Sequence, residues 1–95
     1  MIYRSQILIC HEAKRTQMLQ ALGHALVNKP PGMAQMTFAA DVAEENTIVV
    51  YQAWESKEAF EGFQRALPAE KAAFFKTLVA SKTECWHAEW LQLSA

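Results

Sequence analysis

The sequence predicts an α+β protein of the ferredoxin-like type, with its elements in the order β-α-β-β-α-β. One observation is a run of β-branched and aromatic residues, Thr47 to Tyr51, which is typical of a strand. Another is the switch at Ser56 to apolar residues at helical spacing. Strand-like and helix-like segments alternate in this way along the chain. In this plan the four strands form one antiparallel sheet in the order 4-1-3-2, and the helices cover one face.

The first half of the chain is predicted to supply two strands and one helix. Ile2–Cys10 is the first strand, and Glu12–Asn28 is a helix with an apolar stripe. The stripe consists of Met18, Leu19, Leu22, Ala25 and Leu26. Pro30–Gly32 ends the helix in a turn, Met33–Ala40 is the second strand, and Asp41–Asn46 connects it to the third.

The second half is predicted to contain a strand, two consecutive helical segments and a last strand. Thr47–Glu55 is the third strand, and Ser56–Leu67 is a helix. The hydroxyl of Ser56 can accept a hydrogen bond from the first turn, which makes this residue the predicted N-cap. A further helix over Ala69–Lys82 and a final strand over Glu84–Leu93 complete the chain.

The composition favours self-association. The 95 residues are expected to form one domain, residues 1–95. A domain of this size buries only about 60–65% of the surface that its unfolded chain exposes. Because 52% of the residues are hydrophobic, the chain has more apolar surface than one thin core needs. A contact with a second copy is the simplest way to cover the excess.

Charge and cysteine content exclude several classes of partner. The net charge is −1 and no basic run is present, so we expect no nucleic-acid partner and no binding to anionic membranes. No apolar run approaches the length of a membrane span, and the N-terminus does not have the pattern of a signal peptide. Two cysteines without a closely spaced framework predict a reducing, cytoplasmic location.

The segment around Trp54 resembles the antibiotic biosynthesis monooxygenase family. The family's signature is a strand ending in E-x-W, a short polar cap and a helix of the type E-A-x-x-x-H. Here these parts read Gln52 to Trp54, Glu55 to Lys57 and Glu58 to Phe60. The resemblance implies a dimeric α+β barrel, in which a second subunit covers the sheet face that carries no helices. It also implies an oxidoreductase that binds no cofactor and uses dioxygen.

The resemblance also implies site residues. In the cofactor-independent oxygenases of this family, a Trp, an amide, a Tyr and an Arg bind a quinol or polyketide-like phenol and direct its reaction with dioxygen. Trp54 matches the Trp, whereas Val50 stands at the amide position and Phe60 near the Tyr. Gln6 is an alternative source of an amide. The structural alternative is that Trp54 only packs at the barrel rim.

Side-chain alternation predicts where a cavity lies. The first strand presents Tyr3, Ser5, Ile7 and Ile9 on one face, which suits the helices. The opposite face, together with that of the last strand, mixes polar and aliphatic residues and is predicted to line a cavity or a dimer interface. His87, beside Glu89, is a candidate general base for a phenol, with an interface histidine as the alternative. The candidate binding residues are Arg4, Gln6, Val50, Gln52, Phe60, Phe63 and Glu89, and the candidate catalytic residues are Trp54 and His87.

Two other site types are disfavoured. A haem-degrading branch of the resembled family uses an Asn, a Trp and a His where this chain has Gln6, Phe63 and Ala73, and a methyl group cannot ligate iron. Cys10 and Cys85 are expected to be close neighbours on paired strands, but no metal-ligand spacing supports a site there.

Three functions remain open. The chain is a quinol-type monooxygenase, a non-catalytic protein that binds a small apolar ligand in the same fold, or an assembly protein whose cavity is filled by side chains.

Overall fold

The computed structural model describes residues 1–89, which form one four-stranded antiparallel sheet and three helices. The elements are β1 (Ile2–Cys10), α1 (Arg15–Val27), β2 (Met33–Ala40), β3 (Thr47–Trp54), α2 (Lys57–Ala66), α3 (Ala69–Leu78) and β4 (Val79–His87). The strand order is β2-β3-β1-β4. The predicted α+β class and strand order are therefore confirmed. No helix in this part of the chain is long and apolar enough to cross a membrane.

The predicted boundary between α3 and β4 is wrong. The helix ends at Leu78, and the strand begins at Val79 rather than at Glu84. Pairing with β1 explains the early start, because β4 runs antiparallel to β1 from Cys10↔Val79 to Tyr3↔His87. The sheet ladder satisfies backbone groups that would otherwise continue the helix, so tertiary pairing overrides local helical propensity. The predicted part of this strand beyond residue 89 lies outside the described residues.

The start of α2 agrees with its predicted cap. Ser56 has extended backbone dihedral angles, and its Oγ accepts a hydrogen bond from the backbone N–H of Ala59 at 3.1 Å. Glu58 adds negative charge in the first turn, where the helix dipole favours it. A cap of this kind stabilises a helix by about 1 kcal/mol. It fixes where α2 begins relative to the end of β3.

The core lies between the helices and one face of the sheet. On that face Leu8 pairs with Ile48 and Gln6 pairs with Val50, and all four side chains are buried. Buried residues from all three helices complete this layer, namely Met18, Leu22, Phe60 and Leu78.

The prediction that Tyr3, Ser5, Ile7 and Ile9 face the helices is wrong, because the helices cover the face that carries Arg4 and Gln6. Ile7 and Ile9 lie on the open face and are 46% and 41% exposed. Alternation defines two faces but does not say which one the helices take. The inner face carries the polar residues Arg4 and Gln6 together with the buried residues Leu8 and Cys10. Arg4 finds charged and polar partners in its own layer.

The turn before β2 is fitted tightly against α2. Gly32 has φ of 87°, and a Cβ built on it would lie 2.6 Å from the Cβ of Ala59. The carbonyl of Gly32 also accepts a hydrogen bond from the backbone N–H of Glu55 at 2.8 Å. Glycine is required here for both its conformation and its size. The turn thereby holds the β3–α2 junction, next to Trp54.

Candidate functional site

A polar and aromatic cluster lies on the inner face of the sheet, where β1, β3 and β4 meet. Its centre is Arg4, which is paired with Gln52 of β3 on one side and with Trp86 of β4 on the other. Directly opposed residues point to the same face, so the pairing places these side chains together. We call this group the Arg4 cluster; its members are Arg4, Gln52, Trp54, Phe60, Glu84 and Trp86.

Gln52 joins two donors of the cluster. Its Oε1 accepts a hydrogen bond from Nη1 of Arg4 at 3.2 Å and another from Nε1 of Trp54 at 3.0 Å. Trp54 is fully buried, at 0% exposure, so its indole N–H needs an internal partner. Gln52 therefore fixes the orientation of both the indole and the guanidinium.

Arg4 and Glu84 form a two-pronged ion pair. Nε and Nη2 of Arg4 lie 2.8 and 3.1 Å from the two carboxylate oxygens of Glu84. The hydrogen bond from Arg4 holds the pKa of Glu84 below its usual value, against the opposing effect of burial. Glu84 consequently stays ionised at neutral pH and is a weak proton acceptor.

Aromatic rings enclose the guanidinium. The centroid of Phe60 lies 5.2 Å from that of Trp54 and 4.8 Å from that of Trp86, and both pairs meet edge to face. Cζ of Arg4 lies 4.6 Å from the Phe60 centroid and 5.7 Å from the Trp86 centroid. These distances suit cation–π attraction, which strengthens where water is excluded. Phe60 thus connects the buried indole to the outer part of the cluster.

A cleft of about 540 Å³ opens beside the cluster, between α2 and the end of β4. It is lined by Ile2, Lys57, Phe60, Glu61, Gln64, Trp86, His87 and Ala88. The volume falls in the range typical of small-molecule sites, and the aromatic rings with a few polar groups match their usual lining. The arrangement can hold an aromatic ring against Phe60 and Trp86, with polar substituents turned towards α2.

The structure brings together four of the residues singled out in the sequence, namely Arg4, Gln52, Trp54 and Phe60. Phe63 packs behind them, with its ring centroid 5.5 Å from that of Trp54. Val50 and Gln6 are buried side by side further along the sheet, at 1% and 7% exposure. Neither of these two residues lines the cleft.

His87 and Glu89 lie apart from this group. The prediction that His87 shares a face with Arg4 and Gln6 is wrong, because Arg4 pairs with Trp86 and the next residue must point to the opposite face. Nε2 of His87 is 2.9 Å from Oγ of Ser5 on that open face, although His87 also contributes to the rim of the cleft. Glu89 is exposed beyond the end of β4.

Sequence reasoning missed two members of the cluster and the polar wall of the cleft. Glu84 and Trp86 could be found only with the register of β4 against β1, which depends on the early start of that strand. Lys57, Glu61 and Gln64 follow the spacing i, i+4, i+7 and so share one side of α2. The spacing can be recognised in the sequence, but nothing in the sequence indicates which side of α2 faces a cleft.

The cysteines do not form a site. Cys10 is buried on the inner face and pairs with Val79, whereas Cys85 is exposed on the open face and pairs with Ser5. The expectation that these two residues are close neighbours is therefore wrong. Burial raises the pKa of the Cys10 thiol, which suits a packing role. Among residues 1–89 no group of three or more metal-ligating side chains occurs.

The comparisons with known proteins agree with this architecture. The solved structures that the chain resembles include SnoaB, a cofactor-independent oxygenase from Streptomyces nogalater, with a TM-score of 0.75 and 18% identity over 99% of this chain and 97% of that chain. Another is a protein from Deinococcus radiodurans provisionally assigned to the antibiotic biosynthesis monooxygenases, with a TM-score of 0.77 and 16% identity over 100% and 98% of the two chains. No functionally curated protein matches the chain.

The match to a protein family is the more specific finding. At these identities the solved structures establish the fold alone. The sequence profile described as "Antibiotic biosynthesis monooxygenase" matches residues 10–74, which is more than half of the chain and includes β3, α2 and the turn at Gly32. The chain therefore belongs to the antibiotic biosynthesis monooxygenase family.

Proposed function

We propose that this protein is a cofactor-independent monooxygenase that oxidises a small aromatic substrate, a quinol or polyketide-like phenol, with dioxygen. Membership of the family and the likeness to SnoaB, itself a cofactor-independent oxygenase, support the reaction class. The observation that carries the proposal is the cleft of about 540 Å³ with Phe60 and Trp86 in its wall and the Arg4 guanidinium against both rings.

The reaction needs no external reductant when the substrate supplies all the electrons. A phenol with hydrogen at its para carbon, or a quinol with hydrogen at a carbon ortho to its hydroxyl, loses its phenolic proton and transfers electrons to dioxygen. One oxygen atom then bonds to that carbon, and the other leaves as water once the C–H and O–O bonds have broken. The product is a quinone. The protein contributes orientation of the ring, proton removal and exclusion of bulk water.

We assign different roles to the two candidate catalytic residues. Trp54 is buried and does not line the cleft, so we propose that it acts as a positioning residue through Phe60 and Gln52. His87 lies at the rim of the cleft, and its ring is hydrogen-bonded with Ser5. Phe60 contacts the substrate, and Arg4 lies against the Phe60 ring.

The remaining candidate residues shape the surroundings of the site. Val50, Gln6 and Phe63 form the packed layer behind the Arg4 cluster. Glu89 is exposed beyond the end of β4 and follows Ala88 of the cleft lining. In this proposal none of these four residues takes part in bond making.

We also propose that the protein is a cytoplasmic homodimer with a single domain over residues 1–95. The open face of the sheet presents Ile7, Ile9 and Tyr51, which are 46%, 41% and 38% exposed. Exposed apolar groups in a row on a sheet face are typical of an interface. A second copy placed on this face would close a barrel and leave the cleft, which lies on the helix side, to each subunit.

The activity is tested by dioxygen uptake with a panel of hydroquinones and polycyclic phenols, followed by product analysis with ¹⁸O₂. We expect uptake well above the uncatalysed blank and one labelled oxygen atom in each product molecule. Phe60→Leu should raise KM roughly tenfold, because the ring that contacts the substrate is lost. Phe74→Leu, at a phenylalanine that is 53% exposed on α3, is the matched control. Uptake no greater than the blank with every substrate would reject the oxygenase.

A non-catalytic binding protein is the second candidate. The observation in its favour is that the indole N–H of Trp54 and the charge of Arg4 are already satisfied internally, by Gln52 and Glu84. A site of this kind binds an aromatic ligand without any chemical step. Quenching of tryptophan fluorescence by the same phenols, with no dioxygen consumed, would identify this function.

A further inference from the structure

The cleft has one wall that the Arg4 cluster does not explain. Lys57, Glu61 and Gln64 lie along one side of α2 and line the cleft together with Trp86 and Ile2. Side chains four residues apart on a helix have Cβ atoms about 6 Å apart, so Lys57 and Glu61 can contact the same small substituent. The cleft therefore combines an apolar wall for a ring with an adjacent cation and carboxylate.

We propose that Glu61 accepts the phenolic proton of the bound substrate and that Lys57 stabilises the phenolate that results. The inference rests on the proposed oxygenation of a phenol and names the groups that activate it. The O–H bond of the phenol breaks, its proton moves to a carboxylate oxygen of Glu61, and the electron pair stays on the phenolate oxygen. The total charge of the cleft is unchanged, and the phenolate then supplies electrons to dioxygen.

The other acidic and basic side chains near the cleft already form hydrogen bonds within the protein. The carboxylate of Glu84 accepts two hydrogen bonds from Arg4, so its oxygens are not available to a phenol. The ring of His87 is turned to the open face and hydrogen-bonded with Ser5. Within residues 1–89 the one ion pair joins Arg4 to Glu84, which leaves Lys57 and Glu61 without a salt-bridge partner.

The charged groups around Glu61 identify the cation that stabilises the phenolate. On α2, Lys57 and Arg65 lie one turn to either side of it, and Glu58 is in the first turn. Arg4 and Glu84 neutralise each other in the sheet behind Phe60 and Trp86, and His87 is at the rim. Glu61 itself is half-buried, which limits screening by water. The nearest unneutralised cation on the cleft wall is therefore Lys57.

The binding arm of the test uses 4-nitrophenol, whose para carbon is blocked and whose ionised form is coloured. Spectra recorded across a pH series give the pKa of the bound probe without any oxidation. Lys57→Gln should raise that pKa by about one unit and Glu61→Gln should lower it, because they remove opposite charges beside the same oxygen. Lys71→Gln and Glu58→Gln, at exposed residues that do not line the cleft, are the matched controls.

The kinetic arm uses a quinol substrate. Glu61→Gln should lower kcat roughly 10²-fold near neutral pH, with recovery at high pH, where the substrate ionises by itself. Lys57→Gln should also recover at high pH, because the loss of its charge raises the pKa of the bound phenol. Unshifted probe spectra in both variants, or a rate loss that appears in His87→Gln instead, would overturn the inference while leaving the oxygenase intact. If no substrate is oxidised, the probe spectra alone decide whether both groups face the ligand.

Discussion

At the scale of single residues, Gln52 decides the geometry of the site. One carbonyl oxygen accepts hydrogen bonds from both the Arg4 guanidinium and the Trp54 indole. Arg4 is then held by Glu84 on its other side. Each of these side chains is thereby held by a neighbouring side chain. That neighbour lies either on another strand or two residues away on the same strand. Such mutual support keeps Phe60 and Trp86 in place at the cleft.

We expect Gln52→Leu to lower the free energy of unfolding by about 1–3 kcal/mol, because it leaves the buried indole N–H of Trp54 without an acceptor. Urea unfolding monitored by tryptophan fluorescence measures the change. Gln35→Leu, at an exposed position of β2, is the control and should have little effect. Equal stabilities of the two variants would show that the hydrogen bond to Trp54 contributes nothing.

The Arg4–Glu84 pair predicts a dependence of stability on pH. The pKa of Glu84 is lower in the folded protein than its ordinary value of about 4.3, so its stabilisation is complete above that value and is lost as the pH falls through the folded-state pKa. Glu84→Gln should therefore flatten the decrease in the urea midpoint below about pH 4. If the urea midpoint of Glu84→Gln decreased with falling pH as steeply as that of the wild type, this assignment would be contradicted.

At the scale of elements, the position of α2 determines the cleft. The Ser56 cap fixes where the helix begins, and the turn at Gly32 packs against Ala59, near the start of the helix. Phe60 then contacts Trp54 of the sheet and lines the cleft, as do Lys57, Glu61 and Gln64. A small shift of α2 would consequently alter both walls of the cleft.

Gly32→Ala should destabilise the protein by more than 2 kcal/mol. A residue with a Cβ costs about 1–2 kcal/mol at a positive φ, and the added methyl group would also meet Ala59 at 2.6 Å. Thermal unfolding measures the loss. Gly23→Ala is the matched control, because a Cβ at that position of α1 has no neighbour within 4 Å, and it should stabilise the helix slightly. If both variants unfold at the same temperature, the close fit at Gly32 is not required.

At the scale of the whole molecule, the sheet separates two surfaces of different composition. Its inner face carries the core, the Arg4 cluster and the cleft, whereas its outer face exposes Ile7, Ile9 and Tyr51. A subunit partner on the outer face would stabilise the sheet without blocking entry to the cleft. The two surfaces can therefore be altered independently by substitution.

Ile7→Glu should convert the proposed homodimer into a monomer, because it places a charge in the centre of the apolar outer face. Light scattering after size-exclusion chromatography measures the mass of the particle. Val27→Glu is the control, at a residue that is 82% exposed at the end of α1. A wild-type particle of 10.7 kDa would remove the dimer from the proposal.

Local patterns were sufficient for most of the fold. The β-branched run of β3, the Ser56 cap and the Pro-Gly turn each depend on residues close in sequence, and each appears where it was predicted. The boundary of β4 and the choice of the inner face could not be predicted in this way. Both depend on pairing between β1 and β4, whose paired residues lie 69 (Cys10 and Val79) to 84 (Tyr3 and His87) positions apart along the chain.

The sequence by itself therefore determined the α+β class, the strand order and, through its resemblance to known motifs, the family, because periodicity and short motifs are local properties of the chain. Only the tertiary structure decided that Arg4 belongs with Glu84 and Trp86, that His87 points to the other face, and that Lys57 and Glu61 face a cleft. The physical reason is strand register: a shift of one residue reverses the face of every side chain, and register is set by the packing of the whole sheet.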